Sequence, residues 1–177
     1  MVINWEIPAT EHLSYELVTV TNYLKILNIF IEDEHPFVSE SYKVPKKLKV
    51  YFENMEKLRQ SKSKYAGQEW LLYHRADQKY IGIVSLYDLS NETLNDNDQR
   101  CTLGFAISAP YRRQGYGNDA VKSLIHFSKN NIGRHLLLAY TLDSNPASKR
   151  LLTKLGFQDV TDQYICGPDI RYFSLEV

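Results

Sequence analysis

Residues 105–120 have the sequence FAISAPYRRQGYGNDA. An apolar run ends in a proline, and then come Arg112, Arg113, Gly115 and Gly117 ahead of an amphipathic segment. This order predicts a strand, a tight basic turn and a helix. The first N–H groups of a helix lack intrahelical partners, and the helix dipole adds partial positive charge beside them. With two arginines as further donors, the stretch predicts a binding turn for a phosphate or pyrophosphate group.

The composition is that of an ordinary soluble globular protein, with 44% hydrophobic and 24% charged residues in a chain of 177. This length suits a single domain covering residues 1–177. The 21 basic and 21 acidic residues give a net charge of zero, so bulk charge favours neither nucleic acid nor an acidic membrane as a partner. No apolar run approaches the roughly 20 residues of a membrane span, and the N-terminus lacks a signal-peptide pattern. We therefore expect a cytoplasmic protein.

Cysteine and histidine positions give no indication of a metal site. Cys101 and Cys166 lack the short spacing of metal ligands, and His74, His126 and His135 fall on separate predicted elements. We expect both cysteines to be reduced and the protein to hold no metal.

The predicted elements run in the order strand, two helices, three strands, helix, strand, helix and two strands. Strands are predicted at 14–20, 70–74, 80–87, 100–108, 135–142, 157–165 and 170–177, and helices at 23–30, from Pro45, at 117–130 and from Pro146. The nearly continuous apolar run 135–142 predicts a strand buried on both faces. The polar run 91–98 predicts a long hairpin loop. This order is typical of a mixed α/β (α+β) domain with a largely antiparallel first half.

Two motifs carry a resemblance to a known family. The sequence RRQGYG at Arg112–Gly117 fits the (Gln/Arg)-x-x-Gly-x-(Gly/Ala) signature of the GNAT superfamily of acyl-CoA-dependent N-acetyltransferases. The sequence NPASKRLLTKLGF at Asn145–Phe157 closely resembles that superfamily's second conserved block. Within the superfamily, LGFAI at Leu103–Ile107 resembles a strand of the ribosomal-protein N-terminal acetyltransferases and their relatives that acetylate small amines. The resemblance extends over most of the chain, from about residue 14.

The resemblance implies the GNAT fold, a single mixed and mostly antiparallel central sheet flanked by helices and splayed between its fourth and fifth strands. It implies acetyl-CoA as the acyl donor, with the pantetheine arm in the splay and the pyrophosphate on the basic turn. An N–H near Ile107 would stabilise the developing oxyanion. The residues expected to contact the cofactor are Phe105, Ala106, Ile107, Arg112, Arg113, Gln114, Gly115, Tyr116, Gly117, Asn118, Asn145 and Ser148.

The implied reaction is direct attack of a primary amine, from a protein N-terminus or a small molecule, on the thioester. An amine with a pKa near ~10 is mostly protonated at neutral pH, so a base or a water chain must take a proton, and the leaving thiolate needs a donor. Many relatives carry a tyrosine where this chain has Leu152, and the subgroup often carries a glutamate where this chain has Thr102. Ser148 is the matching donor and is the expected catalytic acid. The acidic run 32–34 is a candidate base or a site for a cationic substrate.

Two other functions stay open at this point. The string Gly115-x-Gly117-x-x-Ala120 satisfies a dinucleotide-binding fingerprint, although it follows three antiparallel-looking strands instead of opening the first βαβ unit. A non-catalytic acyl-CoA-binding regulatory domain is the second, because Leu152 and Thr102 replace two familiar catalytic groups. Coenzyme A and an amine substrate are the expected partners, and the protein is expected to be a monomer or a homodimer.

Overall fold

The computed structural model describes residues 4–63, 65–89, 100–164 and 166–177, so the loop expected at 91–98 lies outside the described residues. The described elements are β1 (Leu13–Leu17), α1 (Lys25–Phe30), α2 (Pro45–Gln60), β2 (Gln68–His74), β3 (Lys79–Tyr87), β4 (Arg100–Ile107), α3 (Tyr116–Ile132), β5 (Leu136–Leu142), α4 (Pro146–Lys154), β6 (Gln158–Asp159) and β7 (Ile170–Glu176). The order of elements predicted from the sequence and the mixed α/β class are confirmed.

The strands form one seven-stranded sheet in the order β1-β2-β3-β4-β5-β7-β6. Neighbouring strands are antiparallel except β4 and β5, which are parallel. This parallel pairing covers only the pairs from Arg100↔Leu136 to Thr102↔Leu138. Beyond it, β4 continues along β3 and β5 continues along β7, so the two strands diverge. The expected splay between the fourth and fifth strands is therefore confirmed.

Helices cover both faces of the sheet. On one face, α3 packs Val121, Leu124 and Phe127 onto the larger core, which also contains Trp70 and Leu137. On the other face, α1 and α2 form a second core with strand residues, whose buried members are Val18, Ile26, Phe30, Val38, Leu48, Phe52, Leu71 and Ile83. The apolar spacing of each helix explains which side it turns inward. The splay opens between these two layers.

Two strands are shorter than the sequence predicts. The first ends at Leu17, because Asn22 then accepts a hydrogen bond from the Thr19 N–H at 2.8 Å and turns the chain. The predicted strand 157–165 is wrong from residue 160 to 164, and residue 165 lies outside the described residues. The Asp159 carboxylate accepts hydrogen bonds from the N–H and hydroxyl of Thr161, and a 3-10 turn follows. Side-chain oxygens that bond nearby backbone groups compete with ladder pairing in this way.

The burial of β5 also differs from the prediction. Leu137, Leu138 and Ala139 are buried, but Tyr140 is 60% exposed. The change follows the point at which β4 leaves β5. The second half of the apolar run 136–142 therefore faces open space beside the splay instead of a packed neighbour.

Candidate active site

A cavity of about 780 Å³ lies at the splay. Its walls come from β4, β5, the start of α4, the loop after α1, and side chains of α2 and β3. The lining residues are Glu34, Pro36, Phe37, Val38, Ser39, Glu40, Tyr42, Lys43, Tyr51, Ile83, Ser85, Tyr87, Thr102, Leu103, Gly104, Phe105, Ala106, Ala139, Tyr140, Thr141, Leu142, Asn145, Ser148, Leu152 and Ile170. The cavity thus follows the strand edges that the divergence of β4 and β5 leaves without a partner strand. Such edges can hydrogen-bond an extended ligand.

The start of α4 is built as a capped helix that points into this cavity wall. Asn145 is the N-cap, and its side-chain oxygen accepts a hydrogen bond from the Ser148 N–H at 3.2 Å. Pro146 occupies the first turn, where its missing N–H costs nothing. Leu152, one turn after Ser148, is fully buried in the core. Because Leu152 cannot donate a proton, Ser148 is the hydroxyl donor that α4 brings to the wall.

The basic turn predicted between β4 and α3 has the geometry of an anion-binding helix start. Gly115 is the N-cap of α3 with φ 91°, and Arg113 has φ 60°. The first helical hydrogen bond runs from the Asp119 N–H to the Gly115 carbonyl at 3.1 Å, so the N–H groups of 116–118 are the ones left over. A Cβ placed at Gly115 would meet nothing within 4 Å. The turn therefore faces open space, as a phosphate site requires.

Arg112 uses its guanidinium within the chain itself. Its Nε donates to the Ile107 carbonyl at 2.8 Å, and its Nη2 pairs with the Asp33 carboxylate, which is 4% exposed. Arg112 therefore ties the end of β4 to the loop after α1, and its backbone N–H donates to the Ala109 carbonyl at 3.4 Å. Arg113 and Gln114 are exposed on the turn.

The cavity brings together Phe105, Ala106, Asn145 and Ser148 from the list of expected site residues. Ile107 ends β4, and 112–118 follow it along the turn and the start of α3. A further expected residue, Asn118, has a buried side-chain oxygen without a hydrogen-bond partner among the described residues. An unpaired strand edge followed along the chain by an open turn with free N–H groups fits a long, phosphate-bearing ligand.

The sequence prediction missed one carboxyl beside this cavity. Glu69 on β2 is fully buried, and its Oε1 accepts hydrogen bonds from the hydroxyls of Tyr51 and, at 3.3 Å, Tyr87. Burial raises the pKa of the Glu69 carboxyl, and the bonds from Tyr51 and the nearby guanidinium of Arg59 offset only part of that effect. Burial also raises the pKa of both tyrosines. A glutamate within the buried strand QEWLLYH is the signal that could have indicated this cluster.

Comparison with known proteins identifies the family. The family model described as acetyltransferase (GNAT) domain matches residues 26–158 of this chain. The chain belongs to the GNAT acetyltransferase family. By family it is therefore an acetyl-transfer enzyme. This confirms the family assignment made from RRQGYG and the second motif block. It also excludes the dinucleotide-binding alternative.

Three relatives of this acetyltransferase illustrate its similarity to known members. An uncharacterized N-acetyltransferase of Bacillus subtilis, YoaA, is 25% identical over 116 residues, which span 60% of this chain and 63% of that relative. The ribosomal-protein-S5-alanine acetyltransferase of Vibrio fischeri has a similar structure, with TM-score 0.73, 20% identity, and 96% of this chain and 95% of that chain covered. A dodecameric spermidine N-acetyltransferase of Vibrio cholerae gives TM-score 0.67, 12% identity and coverages of 94% and 95%. The two structures share the fold.

No three or more His, Cys, Asp or Glu side chains are grouped to hold a metal within the described ranges. The helices described for the acetyltransferase are too short or too polar for a membrane crossing. Cys101 and Cys166 are both free thiols.

Proposed function

We propose that this acetyltransferase moves the acetyl group of acetyl-CoA to a primary amine, of a protein N-terminus or a small molecule, by direct attack in a ternary complex. The observation that carries the proposal is the three-pair contact between β4 and β5, beyond which the strands diverge around a cavity. An extended pantetheine arm would bond the exposed strand edge in the manner of an added strand. The residues brought to this edge are Phe105, Ala106 and Ile107.

The basic turn would hold the pyrophosphate. Its backbone N–H groups, from Arg113 through Asn118, precede and begin α3, where the helix dipole favours an anion. Arg113 and Gln114 are exposed there and add side-chain donors. Since Asn145 and Ser148 lie on the cavity wall, they would face the sulfur end of the cofactor.

The other half of the cavity would receive the amine. This part is lined by residues of the loop 34–43, which includes Tyr42, and by Tyr51 and Tyr87. We call it the acceptor end. Glu34 on its wall suits a cationic amine, whereas Glu40 pairs with Lys43 and Lys47 at 3.6 and 3.7 Å. The tyrosine rings can pack against the carbon skeleton of the amine. In this arrangement Ser148 protonates the leaving thiolate.

The proposal is tested by binding and turnover. Calorimetry should detect acetyl-CoA binding and no NAD binding. At 100 times its dissociation constant, acetyl-CoA should stabilise the fold by about 2.7 kcal/mol in thermal denaturation. Release of free thiol is then followed with a panel of N-terminal peptides, polyamines and aminoglycosides.

The outcomes separate the remaining alternatives. Turnover with any member of the panel supports the N-acetyltransferase. Tight acetyl-CoA binding with no thiol release from the whole panel would favour a non-catalytic acyl-CoA-binding domain instead. Failure to bind acetyl-CoA at all would refute the placement of the cofactor.

A further inference from the structure

A buried carboxyl lies directly behind the acceptor end. Glu69 has no exposed side-chain surface, whereas Tyr51 and Tyr87, which donate to it, both line the cavity. The two tyrosine hydroxyls are 2.6 Å apart. A continuous line of hydrogen-bonding groups therefore runs from the cavity to a carboxylate that solvent does not reach.

The direction of these hydrogen bonds follows from the number of protons. A tyrosine hydroxyl has one proton to donate. Tyr51 donates its proton to Glu69, so the single proton of Tyr87 is directed chiefly at the Tyr51 oxygen, 2.6 Å away, and its 3.3 Å contact with Glu69 Oε1 is the weaker one. The lone pairs of the Tyr87 oxygen, which the hydroxyls of Ser85 and Tyr42 on the cavity wall also approach, can accept a proton from the cavity. The sequence of groups is cavity, Tyr87, Tyr51 and Glu69.

We propose that Glu69, acting through the hydroxyls of Tyr51 and Tyr87, receives the proton that the acceptor amine loses when it is acetylated. The inference rests on the proposed function, for which it supplies the base. Thr102 provides no carboxyl at the position where relatives often carry one, and Asp33 of the acidic run 32–34 is paired with Arg112.

The amine nitrogen forms a bond to the acetyl carbon, and the bond between that carbon and sulfur breaks. The nitrogen's proton passes to the Tyr87 oxygen, the Tyr87 proton passes to Tyr51, and the Tyr51 proton passes to Glu69 Oε1. The thiolate takes its proton from Ser148, which water replenishes. Glu69 returns its proton through the same hydroxyls to water once the products leave.

The surroundings of Glu69 favour its protonated form more than those of an exposed glutamate do. Burial raises its pKa, and the groups that face it are Tyr51 and Arg59 from α2, Tyr87 from β3 and, beside Tyr51, Tyr42. The nearest charge is the Arg59 Nη2, 3.7 Å from Glu69 Oε2. Arg59 also donates to the Gly67 carbonyl and to Glu56, so its charge is shared. A base with a pKa moved toward the working pH is more effective in general base catalysis.

Two glycines hold this cluster in place. A Cβ at Gly67, just before β2, would lie 2.4 Å from Tyr87 Cδ1, so the absence of a side chain there leaves room for the tyrosine ring. A Cβ at Gly104 would lie 2.6 Å from Ser85 Oγ. Glu69, Ser85 and Gly104 are register partners across β2, β3 and β4. They form a row from the buried carboxyl to the splayed strand.

The test compares Glu69→Gln with the wild-type protein, using the amine that turns over best in the panel. Glutamine keeps the size and accepts hydrogen bonds but cannot take the proton, so kcat should fall roughly 100-fold or more. The acetyl-CoA dissociation constant should stay within about threefold of the wild-type value.

The pH profile separates a proton relay from a structural role. On a logarithmic plot, kcat/KM of the wild type should rise with slope two below the pKa of Glu69, because both Glu69 and the amine must lose a proton, and with slope one above it. The break should lie above about 4.3, the ordinary glutamate value. Glu69→Gln should show slope one throughout. The double variant Tyr51→Phe, Tyr87→Phe should reproduce this profile by breaking the relay with the carboxyl intact.

Glu16→Gln is the matched control, since Glu16 also accepts a hydrogen bond from a tyrosine, Tyr80, but is not part of the cavity wall. It should keep the rate and slope two. A Glu69→Gln protein that keeps kcat within about threefold, or that loses rate with slope two preserved, would overturn the relay. A wild type that binds acetyl-CoA but acetylates no amine would refute the proposed function, and the relay with it.

Discussion

At the scale of single residues, Ser148 stands out because the helix cap does not use its hydroxyl. The Ser148 N–H is the group that satisfies the Asn145 cap, at 3.2 Å. The side chain is therefore available to the cavity that it lines. The next inward position of the same helix is the buried Leu152, so the hydroxyl at 148 has no substitute donor on this face of α4.

We predict that Ser148→Ala lowers kcat by roughly 10- to 100-fold, as expected for loss of a positioned proton donor. Acetyl-CoA affinity, measured by calorimetry, should change by less than about threefold, because the backbone cap remains. Ser144→Ala, which removes an exposed hydroxyl just before the cap, should leave both quantities unchanged. An unaltered kcat in Ser148→Ala would exclude the serine from the proton chemistry.

Residue roles could be predicted from the sequence where they depend on local motifs. Asn145 and Ser148 lie three residues apart in a capped helix, so their common position on the cavity wall follows from helix geometry. Glu69 could not be found in this way. Glu69 contacts Tyr51, which lies 18 positions earlier in the chain, and Tyr87, which lies on the neighbouring strand β3. Neither contact follows from local periodicity.

At the scale of elements, the turn between β4 and α3 joins two functions in one segment. Gly115 takes the left-handed conformation that starts α3, with φ 91°. Gly117 is different: a Cβ there would lie 3.6 Å from Leu151 Cδ2 and 3.8 Å from Ile107 Cγ1, which are ordinary contacts. The fold does not require glycine at 117. Its small size instead keeps the space between the turn, β4 and α4 open.

We predict that Gly117→Trp abolishes measurable acetyl-CoA binding, because the indole would fill the space in front of the turn. Calorimetry provides the measurement, and circular dichroism should show unchanged secondary structure. Gly117→Ala is the control, since the added methyl makes only ordinary contacts, and it should fold and retain binding. Wild-type affinity in Gly117→Trp would remove the pyrophosphate from this turn.

Asp143 links three elements at the other end of the splay. It lies between β5 and α4, and its Oδ1 pairs with Lys149 Nζ on α4 at 2.9 Å and with Arg171 Nε on β7 at 3.0 Å. The hydrogen bond from Arg171, then that from Lys149, lowers the pKa of Asp143 to about 2. The carboxylate thus helps hold the start of α4 against the strand pair beneath it.

We predict that Asp143→Asn lowers the melting temperature at neutral pH and that the deficit disappears in acid. A carboxyl with a depressed folded-state pKa stabilises the fold above the unfolded value, about 3.9, and loses that contribution as pH falls. The difference in melting temperature between Asp143→Asn and the wild type should be constant above about pH 5. It should shrink as the pH falls to about 2. Asp169→Asn, at another exposed carboxyl, is the control. A difference that persists at pH 2 would contradict the ion-pair explanation.

At the scale of the whole molecule, local patterns predicted the order of elements, while contacts between distant parts determined the cavity. The amphipathic spacing of the sequence predicted the helices α2 and α3. Pro45 is the first residue of α2, and Gly115 is the N-cap of α3. The early end of β6 could not be foreseen, because it depends on where Thr161 bonds Asp159. The acceptor end is likewise formed by the 34–43 loop folding over tyrosines from two other elements.

The sheet consists of two blocks, β1-β2-β3-β4 and β5-β7-β6, and within the described part of the chain three pairs join them edge to edge, from Arg100↔Leu136 to Thr102↔Leu138. Further along, each block keeps its own ladder, and the cavity separates the facing edges. Backbone amides on those edges have no strand partner across the splay. A cofactor bound in the proposed position would therefore act as the missing connection between the blocks.

We predict that acetyl-CoA slows hydrogen exchange in peptides covering 103–107 and 139–142, because pantetheine would bond and cover the facing edges. Peptides within β2 and β3 serve as the internal control: they are already paired on both sides and should exchange at unchanged rates. Mass spectrometry with and without saturating acetyl-CoA makes the comparison. Uniform protection of all strands would indicate only global stabilisation. Protection confined to the turn at 112–118 would place the cofactor outside the splay and contradict the added-strand arrangement.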